Sequence, residues 1–272
     1  MDCTFSDILR EGERLDNIGF GDLKLIQKPD EFCYGVDAVI LADFAARGGM
    51  RWEEGNKNGP DGYRGRLSVC DLGTGTGIIP FILSHKLPQA EVIAGLEVQK
   101  DSAERAIRGA ALNGLSDKVR IVHGDVSDND SLARLKEEAE TEGFDIVVTN
   151  PPYFEGGSGL TGKNEAKYIA RSETTGKLED FIKAAAYLLK EKGDFYMVHR
   201  PSRLADICWI CRKYRIEPKA MRFVSPTLSD EPNILLFHGV LGGGRELRVR
   251  KPLAVYDENG NYSQEINIIY ER

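Results

Sequence analysis

Residues 144–153 read Phe-Asp-Ile-Val-Val-Thr-Asn-Pro-Pro-Tyr. Apolar and β-branched residues follow a single acid, the pattern of a strand covered on both faces. Two consecutive prolines then remove two backbone donors and fix φ twice. Asn150 precedes a proline, so its backbone is pushed to the extended region. A polar amide is therefore held at the carboxyl end of a buried strand, with the ring of Tyr153 three residues on. That edge is where open α/β sheets take ligands.

Working outward, strands and helices alternate. Strands are expected over 67–72, 91–96, 119–122, 144–149 and 194–198, and helices over 78–86, 99–112, 131–140, 178–189 and 203–212. Two further strands are expected over 219–224 and 233–240. After Gly242-Gly243-Gly244, LRVRKPLAVYD and YSQEINIIY read as a β-rich tail. Such alternation makes a doubly wound, mostly parallel sheet. Before it, residues 19–28 read as a strand or hairpin and 37–47 as a helix; 48–66 is Gly-rich and polar, long for a loop inside a domain. We expect residues 1–66 to be an extension packed on a core of 67–272.

Three strand ends carry acids. Asp71-Leu72-Gly73-Thr74-Gly75-Thr76-Gly77 closes the first strand of the sheet and opens a helix, with glycines that let the chain turn tightly. The dinucleotide fingerprint G-x-G-x-x-G is not what stands here. Glu97 ends the next strand, placed as a bidentate acceptor for two ribose hydroxyls. Asp125 follows the third and can accept from an adenine amino group or cap the next helix. With Asn150, these positions suit methyl transfer to a planar nitrogen. The Asn150 side-chain oxygen and the Pro151 carbonyl can each accept one N–H, and both bonds strengthen as positive charge grows on the nitrogen. Tyr153 can stack on a flat group and hold it in line.

Composition narrows the setting. The chain has 272 residues, 41% hydrophobic, which suits one large domain or a domain with an extension. No run of about 18 apolar residues occurs, so no membrane span is expected. Five cysteines, odd in number and irregularly spaced, suggest a reduced, cytoplasmic setting. Leu204, Ile207, Cys208 and Cys211 share one helix face, so the C-W-I-C segment reads as core, and no metal is expected. The net charge is -7, yet residues 196–272 carry 12 Lys/Arg against 9 Asp/Glu. A one-sided basic face is expected from Lys163, Lys167 and Arg171, the 212–222 region, and the tail with Arg248 and Arg250. Charge reversal at Lys118 or Lys136, in the acidic half, is expected to affect binding at that face little.

Together, D-x-G-x-G-x-G and NPPY resemble the class I S-adenosylmethionine methyltransferases over about residues 67–240. The resemblance implies a Rossmann-like, seven-stranded sheet whose last strand is antiparallel. ERLDNIGFGDLKLIQ, YGVDAVILADF, NPPYF, YIARSE and KPLAVYDENGNYSQEI extend the likeness to the bacterial tRNA1(Val) adenine-37 N6-methyltransferases. This implies S-adenosylmethionine held by Tyr34, Gly35, Asp37, Asp71, Gly73, Thr74, Gly75, Gly77, Glu97, Val98, Asp125, Val126 and Asn150. It implies catalysis by Asn150, Pro151, Pro152 and Tyr153, with Phe154 at the base, and a tRNA anticodon loop as substrate for a monomer or weak homodimer. Two alternatives remain: a protein glutamine N5-methyltransferase, which uses NPPY on an amide, and a catalytically idle cofactor-binding adaptor, for which Asn150 would serve no purpose.

Overall fold

The computed structural model describes residues 8–30, 33–49, 67–152 and 178–272. Strands β1 (Arg14–Asn17) and β2 (Lys24–Gln27) form an antiparallel hairpin, followed by α1 (Val36–Ala46). The alternating region follows in chain order: β3 (Leu67–Leu72), α2 (Ile78–Lys86), β4 (Ala90–Glu97), α3 (Lys100–Leu112), β5 (Val119–His123), α4 (Asn129–Glu138) and β6 (Phe144–Thr149). Beyond residue 177 come α5 (Leu178–Leu188), β7 (Leu189–His199), α6 (Leu204–Lys213), β8 (Ile216–Ser225) and β9 (Ile234–Leu241). Two short strands, β10 (Arg248–Val249) and β11 (Leu253–Ala254), and a last helix, α7 (Gln264–Ile269), complete the described chain.

The sheet runs β10-β8-β9-β7-β6-β3-β4-β5, with β11 also on β8. The expected seven-stranded Rossmann-like sheet is there, and β9 is antiparallel to both β7 and β8. β10 and β11 lengthen it to nine, each pairing parallel to β8 over two residues. β3 and β6 are central, and every residue of β3 is buried. Unlike an alternating edge strand, a strand covered on both faces is mostly apolar along its length; Ser68 and Asp71 are the two polar residues of β3.

The two faces are filled differently. One is covered by α1, α2 and α7 with the hairpin residues Ile18, Phe20 and Leu25; the other by α4, α5 and α6. Cys208 and Cys211 pack into the second face, as the spacing implied. α1 is buried all round from Ala38 to Ala46, the mark of a helix inside a core. Its one acid there, Asp43, lies 2.8 Å from Arg47 and 3.0 Å from Lys86. The hairpin is tied to α3 by Asn113, whose amide accepts from Lys24 N and donates to Lys24 O.

One expectation needs correction. Residues 264–269 form a helix where the sequence reads as strand. The β-branched isoleucines suggest a strand, but Ser263 caps the turn by accepting from Ile266 N, and Ile266 and Ile269 are both buried against the first face. Lys118 also has a structural role: its Nζ donates to the carbonyls of Ser84, Leu87 and Pro88 at 3.2, 3.1 and 3.3 Å. A cation there satisfies carbonyls that the end of α2 leaves open. Lys118→Ala should therefore lower stability to urea by about 1–2 kcal/mol, and Lys118→Glu by more. An unchanged urea midpoint in both would mean that water satisfies these carbonyls equally well.

Candidate active site

Four neighbouring parallel strands, β5, β4, β3 and β6, bring their carboxyl ends to one edge. Register aligns Leu72 with Thr149 and Glu97 with His123. The Thr149 hydroxyl donates to Leu72 O at 2.8 Å, buried, and so fastens the acid-glycine turn to the strand that carries Asn150.

The turn after β3 is shaped by its glycines. Gly73, Gly75 and Gly77 have φ of +74°, +57° and +93°, the left-handed region open to glycine at little cost. Gly73 N and Thr74 N both donate to Leu96 O, which lays the turn across β4. A Cβ on Gly77 would press on Phe81 and Ala106, whereas one on Gly75 would meet nothing within 4 Å. Gly75 thus lines open space beside the acids.

Asp71 is completely buried, and neither of its carboxylate oxygens has a hydrogen-bond partner. Burial pushes its pKa up from 3.8 to about 7; nearby Thr74 pulls it down, without a well-formed bond, and Glu97 pushes it up further. An orphaned buried carboxylate is costly unless a donor or cation meets it. Glu97 is held instead: its two oxygens accept from Gly75 N and Gln99 N, each at 2.8 Å. Burial raises its pKa, and those two backbone donors offset part of the rise. A carboxylate has about four acceptor positions, so each oxygen keeps one for a hydroxyl.

Asp125 does not cap α4. Its Oδ1 accepts from Ser127 N and Ser127 Oγ, both at 2.8 Å, while Asp128 caps the helix. Val126 is buried next to it. Val98 O meets His123 Nε2 at 3.0 Å, which puts a ring beside the second strand end that the sequence did not single out.

Asn150 and Asp37 meet although 113 residues separate them: Asn150 Nδ2 donates to Asp37 Oδ2 at 3.3 Å. A carboxylate only accepts, so the amide must turn its NH2 end to Asp37. The carbonyl oxygen is then the end directed away. Asp37 Oδ1 accepts from Ala38 N in the first turn of α1. A Cβ at Gly35 would come within 2.7 Å of Asp37 Oδ1, so glycine there leaves room for this carboxylate. Tyr34 is half-buried, its pKa raised by burial and by Asp16. Pro151 is buried and Pro152 partly so; Tyr153, Phe154, Lys163, Lys167 and Arg171 lie outside the described residues.

Several cations of the basic face expected from the sequence are ion-paired within the chain. Arg222 is buried and forms two bonds to Glu265, at 2.6 and 2.7 Å. Arg212, Lys213, Arg215 and Arg248 pair with Glu217, Glu179, Glu191 and Glu246. Arg248 remains exposed and Arg250 is half-buried. Among the described residues no group of His, Cys, Asp and Glu is placed to hold a metal ion, and no helix is long and apolar enough to cross a membrane.

Asp71 has a consequence for stability. A carboxyl whose pKa is higher folded than unfolded favours the folded state at low pH, and that contribution is lost as pH rises from about 4 to about 7. Without ligand, Asp71→Asn should leave the melting temperature near wild type at pH about 4 and raise it at pH about 8. A parallel pH dependence in both proteins would mean that Asp71 is not the group responsible.

Residues 63–205 match the family described as methyltransferase small domain. A tRNA1(Val) (adenine(37)-N6)-methyltransferase of Porphyromonas gingivalis is 34% identical over 166 residues, 61% of this chain and 62% of that one. One of the same name from Proteus mirabilis is 32% identical over 131 residues, 48% of each chain. The matches thus span less than two thirds of these relatives' length. Among solved structures, a predicted O-methyltransferase from Agrobacterium tumefaciens aligns with TM-score 0.64 at 21% identity, covering 86% of this chain and 95% of that one. The Thermus thermophilus 16S rRNA N2 G1207 methyltransferase, in complex with AdoMet and guanosine, aligns with TM-score 0.51 at 20% identity, covering 84% of this chain and 50% of that one. At such identities these two likenesses speak for the fold, and the family match over more than half of the chain makes this protein a member of the methyltransferase small domain family.

Proposed function

We propose that the protein methylates N6 of an adenine in tRNA, using S-adenosylmethionine, and that the base is adenosine 37 of valine tRNA, as the names of its relatives suggest. The observation that carries this reading is the Asn150 amide, held by Asp37 at a strand edge that also presents Asp71 and Glu97.

The residues present fit the cofactor. The Asp71 carboxylate suits its ammonium group, held through water or backbone since Asp71 itself is fully buried, and the open space at Gly75 suits close approach to the backbone. Glu97 has acceptor positions left for the ribose, and Asp125, Val126 and Val98 would take the adenine. When bound, S-adenosylmethionine supplies an electrophilic methyl group on a sulfonium. The Asn150 oxygen and the Pro151 carbonyl accept the two N–H bonds of the target amine. As the nitrogen gains positive charge both bonds strengthen, so they favour the transition state over the ground state. Tyr153 supplies a ring to stack on the base and hold it in line. The proton leaves after the nitrogen has become cationic, so no strong base is required.

The test is to incubate the protein and labelled cofactor with total tRNA, protein extract and DNA in parallel. Label is expected in tRNA and, after digestion, in N6-methyladenosine. Label confined to a glutamine of the protein extract would replace this reading with the glutamine N5 one. Asn150→Ala should lower turnover about 100-fold or more, by analogy with lost oxyanion-hole donors, with cofactor affinity nearly kept. Glu97→Ala should weaken calorimetric binding of S-adenosylmethionine by about 1.5–3 kcal/mol, and unchanged affinity would remove Glu97 from the ribose.

A further inference from the structure

Near the end of the chain the rings of four residues stand nearly parallel. Tyr256 stacks on Tyr262 at 5.4 Å and 14°, Tyr262 on Tyr270 at 6.2 Å and 20°, and Tyr270 on Phe20 at 6.2 Å and 22°. The inner end belongs to the core, since Phe20 is fully buried. The outer end does not: Tyr256 and Tyr262 are 40% and 41% exposed. Core packing does not require them, because Leu253, Val255, Ile266 and Ile269 already fill that part of the first face.

The local chain holds the outer rings rigidly. Tyr256 and Tyr262 face each other across a tight antiparallel bridge. Asp257 closes the turn between them, accepting from Asn259 N and Asn261 N, each at 2.9 Å. Ser263 ties the returning chain to Ala254 O and Val255 O. Exposed aromatic surface held in this way is already ordered, so a ligand that stacks on it loses little further freedom on binding.

The ladder also lies at the right edge. β11 runs parallel to β8 and pairs with its last residues, Val224 and Ser225, after which Tyr256 N donates to Pro226 O. Tyr256 therefore stands beyond the carboxyl end of β8, the same edge of the sheet as Asn150 at the end of β6. Two strands, β9 and β7, separate β8 from β6, which at strand spacing is about 14 Å. From Tyr256 the rings step back to Tyr270, a residue that feels the charge of Asp37 and the Tyr34 hydroxyl and whose own pKa is pushed up to about 12, mainly by burial. The Arg272 guanidinium lies 4.8 Å from the Tyr270 ring centre.

We propose that Tyr256 and Tyr262 are a stacking platform for unpaired bases next to the target base, so that the protein grips a single-stranded RNA loop through aromatic faces at the outer end of this ladder. This rests on the RNA methyltransferase reading and adds to it where the substrate is held. Every base has a π face, and stacking on protein aromatics is a principal way in which unpaired RNA is bound. It also fits the charge. The turn carries Asp257 and Glu258, a poor neighbour for phosphates, and at least half of the cations of residues 196–272 are ion-paired. Stacking needs neither.

The test uses the full chain, unmodified total tRNA, and a fluorescent hairpin RNA with adenosine in its unpaired loop. Tyr256→Ala and Tyr262→Ala should each raise KM for tRNA and weaken hairpin binding by about 5- to 160-fold, the range for loss of one base-aromatic stack. The maximal rate should change much less, and S-adenosylmethionine affinity and melting temperature should stay at wild-type values. Phe at either position should restore KM, and Leu should not, because the ring face and not apolar bulk is what binds. The fold-loss should be similar at low and high KCl, since stacking releases few counterions. If the wild type methylates tRNA and the Ala variants keep its KM, or if Phe variants are as damaged as Ala, the platform is overturned. If the wild type labels no RNA, the function proposed above fails first and the platform with it.

Discussion

Helix α1 has no free side. From Ala38 to Ala46 every residue is buried, so the helix is enclosed by the sheet, α2 and α7 as a peg in a socket. That enclosure sets much else. It fixes the hairpin and α7 on the first face, and it forces Asp43, in the middle of the peg, to take both Arg47 and Lys86 as partners. Most of all, it sets where the amino end of α1 emerges. Asp37 stands at that end, and only a rigidly held helix can keep its carboxylate at the amide of Asn150. A residue before the sheet thereby helps to orient one at its centre.

The legible parts were those written locally. The mostly apolar strand 144–149, the proline pair behind it and the glycine-spaced turn after Asp71 each encode a shape within a few residues, and the structure follows them closely. The parts that could not be read depend on what lies across the fold. The isoleucines of α7 favour a strand in isolation; the Ser263 cap and a buried face for Ile266 and Ile269 make a helix. Arg222 looks like a free cation until Glu265 is brought beside it. Lys118 looks like surface until the end of α2 arrives. The contact of Asn150 with Asp37 spans 113 residues; the sequence names both residues without the bond between them.

Electrostatics divide the same way. Summing charge along the chain finds a basic final third, but pairing converts much of that surplus into structure. What remains chemically unsettled is the reverse, a carboxylate. Asp71 sits without a partner in a strand buried along its whole length, beside Gly75, which borders open space, and Glu97. Stability is given up at this position, as is common where a protein keeps a place ready for a ligand. The open backbone at Gly75 and the carefully bonded Glu97 belong to one arrangement with it.

The enclosure of α1 bears on how the chain is made. α1 ends at Ala46, whereas β9, one of the strands it packs on, ends at Leu241 and α7 lies beyond that. At about 5–20 residues per second of synthesis, an apolar helix leaves the ribosome roughly 10–40 s before its socket exists. During that interval its surface is open to any other apolar partner, whereas the strands β3 to β6 can pair almost as they emerge. The nascent chain therefore makes an apolar segment early, which α2 meets first and which the sheet and α7 enclose only at the end.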